Sequence, residues 1–335
     1  MEIFDQGPQH SKRDLVGYAA SPPDVCWPNG ARVAVSFVLN YEEGGENTLL
    51  NQDDTFAESF LTENGVTPTV LAPLKDRELS RESTYAYGSR VGFWRILDLF
   101  KDNSLRFTSW AVAKAVELNP TVVPAMEEAR CEVASHAYRW INYANVDEET
   151  ERAQAGRAID VLTRASTDSK TPPLGWYTGR CSLNTRRVVY EAYKQRGLHT
   201  RYYDSDAYDD DLPYYVAPPT SASDDHPILV VPYTLDVNDM KFAIAPGFGN
   251  PAEFSAYLQS ALQTHLDDAR RPTRPRSSML TIGLHCRIIG RPGRFQALRS
   301  FVEECAELQS QGKVWIATRG EIAEYWRKEY PAKKL

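Results

Sequence analysis

The sequence contains no run of about 20 apolar residues, so no segment reads as a membrane-spanning helix. Positive charge is in short supply: 38 Lys and Arg stand against 45 Asp and Glu, a net charge of -7. Nucleic-acid grooves and anionic bilayers both require a basic face, so neither is an expected partner. Cysteines number five (Cys26, Cys131, Cys181, Cys286 and Cys305), an odd, scattered set without the spacing of a zinc or redox pair. The opening MEIFDQGPQHSKRDLVGY lacks the apolar centre of a secretory leader. The one Asn-x-Thr triplet, Asn119-Pro120-Thr121, is disqualified as a glycosylation acceptor by its proline. These absences lead to the expectation of a reducing, cytoplasmic setting with free thiols. The terminal AKKL is at best a weak peroxisomal address.

What the sequence does have is material for a core. With 335 residues, 42% of them hydrophobic, a folded chain of this size buries about 75% of its unfolded surface. The centre of that core is VAVSFVLNYEEGGEN, over 33–47. Val33, Ala34, Val35, Phe37, Val38, Leu39 and Tyr41 form an apolar run broken only by Ser36 and Asn40, which suits a strand covered on both faces. Glu42, Glu43, Gly44 and Gly45 end it. Parallel α/β folds bind ligands beyond the carboxyl ends of their strands, so two carboxylates there make a candidate site. A charged turn is the plainer alternative.

Residues 1–30 read as an extended arm, and 31–331 as one barrel with no linker that splits it. The polar connection over 46–83, with Asp53, Asp54 and Glu58, has the length of a lid or contact surface. Beyond it, short apolar runs at 105–112, 132–135, 174–177, 200–203, 228–232, 280–284 and 314–316 read as strands alternating with helical patterns. That rhythm predicts an α/β barrel, whose strand ends converge on one rim. The polar residues just past those ends are Glu42, Glu43, His136, Arg180, Asp206 with its acidic neighbours up to Asp211, and His285. Only six histidines exist in the chain, and two fall at strand ends beside carboxylates. That pairing favours a site over isolated structural histidines.

Order and spacing resemble the polysaccharide deacetylase superfamily, from about residue 14 to 331. The superfamily's T-F-D-D-G motif is matched by Asn40-Tyr41-Glu42-Glu43-Gly44, its H-[ST]-x-x-H by His136-Ala137-Tyr138-Arg139-Trp140, and its late Leu-x-His by Leu284-His285. The resemblance implies a distorted seven-stranded (β/α) barrel. In metal-using members the second acid of the first motif and both histidines of the second bind a divalent cation. Here Trp140 replaces one histidine and has no lone pair to offer, so no metal or other cofactor is expected. The pattern is most similar to the metal-independent allantoinase branch. DLVGY (14–18), SFVLNYEEGGEN (36–47), YGSRVGFWRIL (87–97), SHAYRW (135–140), GWYTGR (175–180), YDSDAYDDDLPY (203–214), PYTLDVNDM (232–240) and LHCRIIGRP (284–292) carry that similarity. Ala137 departs from it, standing where glycine is expected.

That resemblance implies opening of the hydantoin ring of allantoin, by water attack on a ring amide and departure of a ring nitrogen. Such chemistry needs a base, a donor for the oxyanion and an acid. Motif position makes Glu42 the base. Neighbours on a strand face opposite ways, so Glu43 is assigned a different task, orienting His136. His285 is the candidate acid, since imidazole titrates near neutrality. Arg180 has the planar donor array for ureido oxygens. Tyr41, Trp140, Trp176, Asp206 and Asp210 are the remaining candidate substrate contacts, Trp176 being equally readable as core. The partner is then a small ureide, and the family implies a homo-oligomer, a tetramer being the form expected. The alternatives are a hydrolase of another cyclic imide or ureide, a metal-dependent N-deacetylase of chito-oligosaccharides, and a barrel retained only for binding.

Overall fold

The computed structural model describes residues 13–53, 77–220 and 225–332. The first twelve residues of the arm, Asp54 and Glu58 of the long connection, and Lys333 to Leu335 lie outside the described residues.

Among the described residues, nine strands form one curled sheet: β1 (Val33–Tyr41), β2 (Thr108–Ala111), β3 (Glu132–Ser135), β4 (Gly175–Trp176), β5 (Tyr203–Asp204), β6 (Tyr214–Val216), β7 (Ile228–Val230), β8 (Ser278–His285) and β9 (Val314–Ile316). Their order is β6-β7-β5-β4-β3-β2-β1-β8, with β9 beside β1. Every pairing is parallel except β6 with β7. The result is the expected distorted α/β barrel, open rather than fully laddered. The two strands beyond the implied seven are accounted for by short elements. β6 is an antiparallel edge in a Pro- and Asp-rich segment that carries no strand pattern. β9 shares one flank of β1 with β2: it pairs with residues 33–35, and β2 takes over from residue 38.

β1 is buried at all nine positions. Its two faces do different work because side chains alternate along a strand. Val33, Val35, Phe37, Leu39 and Tyr41 join the core between sheet and helices. Phe37 meets Phe100 and Phe301 edge-on, from the helices Phe93–Asp102 and Pro292–Ser310. Ala34 and Val38 face the barrel interior with Trp110. There the Arg319 guanidinium is satisfied by Ser205, Thr281 and the Pro232 carbonyl. Carried one step past the strand, the same alternation sends Glu42 to the interior side and Glu43 to the helix side.

The helix that receives Glu43 runs over 79–102 and contains a π turn at Gly88–Gly92. Its glycines are there for close approach. A Cβ on Gly88 would lie 2.1 Å from Glu43 Oε1, and one on Gly92 would lie 2.0 Å from the Cys286 carbonyl oxygen. The short helix Cys286–Ile289 following β8 is thereby held against the π turn. Of the described part of the arm, Trp27 packs on Trp315, Tyr325 and Trp326 and donates its indole N–H to the Ser278 carbonyl.

Gly92→Ala is expected to lower stability by roughly 2–3 kcal/mol, since the added methyl cannot be absorbed by a flexible side chain. A urea midpoint unchanged from the parent would contradict this packing.

Candidate active site

Three strand ends and one loop deliver the site. Glu42 follows β1. His136 follows β3, its backbone N–H bonded to the Ala111 carbonyl at 2.9 Å. His285 is the last residue of β8. Asp239 opens a 3-10 turn, Asp239–Phe242, that packs against β8. Glu42 is completely buried. Its Oε1 lies 3.3 Å from His136 Nε2 and 3.6 Å from His285 Nε2, and its Oε2 lies 2.7 Å from Arg287 Nη2. Glu42, and not Glu43, is therefore the carboxylate that meets His136.

Both imidazoles are fixed from behind. His136 Nδ1 lies 3.0 Å from the Tyr177 carbonyl, which can only accept, so Nδ1 carries a proton and Nε2 is left to exchange one with Glu42. The Tyr177 ring leans on the His136 ring at 4.9 Å. His285 Nδ1 lies 2.6 Å from Asp239 Oδ1, while Asp239 Oδ2 accepts the backbone N–H of His285 and of Ile289. Asp239 thus sets which nitrogen of His285 faces the site, as a carboxylate behind a catalytic histidine does.

Charges in the cluster are pushed apart. Burial raises the Glu42 carboxyl, but Arg287, then His285 and His136, outweigh it and hold it well below the ordinary carboxylate range. Glu43 goes the other way: burial raises it, Arg287 at 3.6 Å offsets part of that, and Glu42 adds to the rise. Burial would lower His285, yet Glu42 and Asp239 prevail and its net direction is up. Glu46, buried and accepting the Gly44 N–H at 2.6 Å, is pushed up to about 7 by burial.

Trp140 closes the site. Its indole is covered by the Arg180 guanidinium at 4.3 Å and by the Arg287 guanidinium at 5.0 Å; Arg287 also lies 4.5 Å from the Tyr85 ring. Arg180 donates to the Trp140 carbonyl. The neighbouring Arg139 donates to the Gly45 and Glu46 carbonyls and pairs with Asp53 at 2.7 Å, so the two motif loops are clamped to each other. Between them Ala137 adopts φ +57°, the left-handed region that explains the expectation of glycine and costs a side chain about 1–2 kcal/mol.

A metal of the kind the fold family uses does not fit these residues. Where three ligands are needed, Glu43 and His136 are joined by Trp140, and the charge beside both glutamates is a guanidinium. Among the described residues no group of three or more His, Cys, Asp or Glu is placed to hold a metal ion.

The polysaccharide deacetylase family profile matches residues 74–197. A Schizosaccharomyces pombe protein, provisionally named a polysaccharide deacetylase, is 49% identical over 329 residues, covering 97% of this chain and 99% of its own. The chain belongs to the polysaccharide deacetylase family. Two solved structures are similar over 96% of this chain and 99% of theirs: a Pseudomonas aeruginosa PAO1 protein, also provisionally named a polysaccharide deacetylase (46% identity, TM-score 0.85), and PuuE allantoinase (44% identity, TM-score 0.84). The class of chemistry that goes with membership of the polysaccharide deacetylase family is hydrolysis of carbon–nitrogen bonds.

Within this family member the predicted site residues fall into two groups. Glu42, Glu43, His136, His285, Trp140 and Arg180 are linked by the contacts above. Tyr41 belongs to the other face of β1: its hydroxyl bonds Ser89 at 2.7 Å and its ring meets Phe93. Trp176 is core, edge-on to Tyr193, with its indole N–H on Thr178. Asp206 accepts the backbone N–H groups of Thr178 and Gly179 and so shapes the loop that leads to Arg180. Asp210 caps Leu212 beside the arm. Arg186, on the helix Thr185–Lys194 that follows the Arg180 loop, pairs with buried Asp204 at 2.7 Å. Asp239 and Arg287 were not singled out by sequence. Asp239 lies in a polar loop without periodicity; the lone arginine inside Leu284-His285-Cys286-Arg287-Ile288-Ile289 was the usable signal, since a charge in an apolar run requires a partner. A cavity of about 650 Å³ opens at the opposite end of the strands, beside Glu132, Leu174 and Arg327, and touches none of the site residues.

Asp239→Asn turns an NH2 group toward either the two backbone donors or His285, and is expected to cost about 1–3 kcal/mol. It should also lower the His285 pKa. The stabilisation that His285 gains from its carboxylate partners is fully present below about pH 6.5 and is lost as pH rises through the raised folded value. In the variant that loss moves to lower pH. Imidazole NMR titration checks this, and a His285 midpoint unmoved by the substitution would contradict the pairing.

Proposed function

We propose that the chain is a hydrolase of cyclic ureides, opening the hydantoin ring of allantoin without a bound metal. The observation that supports this reading best is the composition of the cluster. It keeps the carboxylate, both histidines and an orienting aspartate, has Trp140 in place of a metal ligand, and sits in a chain 44% identical to PuuE allantoinase.

In this reading a water placed against Glu42 and His136 Nε2 loses its proton to that pair as it attacks the ring carbonyl. Glu42 stays anionic throughout the working range because Arg287 holds it so. Sharing the proton with His136 offsets the weak basicity that this pairing imposes. His285, its Nδ1 proton held by Asp239, gives the proton on Nε2 to the departing ring nitrogen. Arg180, half-buried at the edge of Trp140, is the donor suited to the ureido oxygens. The expected small-molecule partner follows from this reading, and we extend it to the homo-oligomeric state and cytoplasmic setting expected from sequence. A family hydrolase of N-acetylated sugars would need the metal position that Trp140 fills.

The test is to incubate chelator-treated protein with allantoin, a cyclic imide and acetylated chito-oligomers, with Glu42→Gln as the comparison. Ring opening of allantoin that survives chelation, and falls by at least about 10²-fold in Glu42→Gln, is the expected outcome. Turnover confined to chito-oligomers and restored by added metal would overturn the proposal.

A further inference from the structure

We infer that Arg287 is the built-in replacement for the divalent cation of metal-using family members, and that Trp140, by taking the place of a metal ligand, provides the surface on which that replacement sits. The inference rests on the hydrolase reading only for its activity measurement.

Four observations carry it. The Arg287 side chain is completely buried, and so is the Glu42 carboxylate it faces. Its two terminal nitrogens divide between the two motif carboxylates, Nη2 at 2.7 Å from Glu42 and Nη1 at 3.6 Å from Glu43. The guanidinium sits in the corner formed by two aromatic rings, 4.5 Å from Tyr85 and 5.0 Å from Trp140, and those rings meet each other edge-on at 6.3 Å. Finally, the short helix carrying Arg287 is brought in by close backbone approach, Gly92 lying against the Cys286 carbonyl and Gly290 against Gly92, so the cation's position is set by backbone packing.

The physical logic is charge balance. Two adjacent buried carboxylates cannot both be ionised without a cation close by. A divalent ion supplies that charge when three ligands hold it. With a tryptophan in the third place the ligand set fails, but the same indole offers a π face that an imidazole coordinated to metal could not. Arginine is the side chain suited to such a place. It stays charged when buried, spans two carboxylates with one planar group, and stacks on aromatic faces. The exchange is therefore of two residues together: histidine to tryptophan removes the metal, and arginine on that tryptophan supplies one fixed positive charge, enough to hold Glu42 ionised beside a Glu43 pushed toward its neutral form. Arg287 acts here as a positioning residue for Glu42, and through Glu42 for His136 and His285.

The experiment combines metal binding with chemical rescue. Chelator-treated wild-type protein titrated with Co2+ is expected to show no visible d–d band and no change in turnover. Arg287→Ala with Trp140→His, which removes the fixed cation and restores the third ligand, is expected to bind one Co2+ per chain with tetrahedral or five-coordinate absorption. Trp140→His alone should bind far more weakly, because Arg287 still competes for both glutamates. On allantoin, Arg287→Ala should lose at least about 10²-fold in kcat, in line with removal of one preorganised charge donor. Guanidinium ion at non-denaturing concentration should recover about tenfold of that, with methylammonium recovering none. Arg287→Lys should retain the fold with weaker activity. Stoichiometric Co2+ binding by the wild-type protein, or no binding by a folded double variant, would overturn the inference. If the substitutions prevent folding, the wild-type titration still decides. Wild-type protein that refuses Co2+ yet does nothing to allantoin would count against the substrate reading alone.

Discussion

The ion pair between Arg287 and the two glutamates that end β1 is the constraint on which this structure turns. Burying Glu42 completely is costly, and breaking a buried pair leaves an uncompensated charge worth roughly 3–5 kcal/mol. The fold answers that cost with architecture. β1 runs between two apolar layers and releases its carboxylates at the rim. The π turn withdraws side chains at Gly88 and Gly92 so that Glu43 and the 286–289 helix can approach. Trp140 and Tyr85 then cover the guanidinium, each contact of this kind being worth up to about 2 kcal/mol where water is excluded. Remove the arginine and each of these features loses its purpose.

The electrostatic consequence is a division of labour among neighbouring groups. Glu42 is held anionic, Glu43 and Glu46 are pushed toward their neutral forms, and His285 toward its cation. Environments that drive adjacent titratable groups in opposite directions are how acid and base roles are separated at one pH. Here the separation comes from a buried guanidinium on one side and an aspartate behind an imidazole on the other. The backing groups, Tyr177 for His136 and Asp239 for His285, hold the rings in fixed tautomers, so little reorganisation is left for the reaction step.

Much of this was readable from the residues because strands announce themselves. The unbroken apolar run of 33–41 and the histidines directly after 132–135 and 280–284 identified the rim, and alternation along β1 assigned Glu42 and Glu43 to different sides. The same alternation, followed back one residue, places Tyr41 among the helix-facing core residues, an outcome its motif position obscured. Other parts had no local signal. Asp239 is one acid in a polar loop, and only the packing of that loop on β8 reveals its target. The 203–216 segment hid β6 because prolines and aspartates suppress strand patterning even where an edge strand forms. Asp206 and Asp210 showed as charge, whereas their role, accepting backbone N–H groups in tight loops, depends on three-dimensional closure. Arg287 was passed over, although a charge in an apolar helix start is a signal, and its role becomes intelligible only with its two aromatic neighbours in place.

The account stands or falls on the state of Glu42. Carbon-13 NMR of glutamate side-chain carboxyls, with Glu42 assigned by substitution, reads that state directly across an acid titration. The account predicts that Glu42 keeps the shift of an ionised carboxylate well below the ordinary glutamate midpoint of about 4.3, for as long as the fold survives. A Glu42 that titrates at or above that midpoint in the folded protein would contradict it.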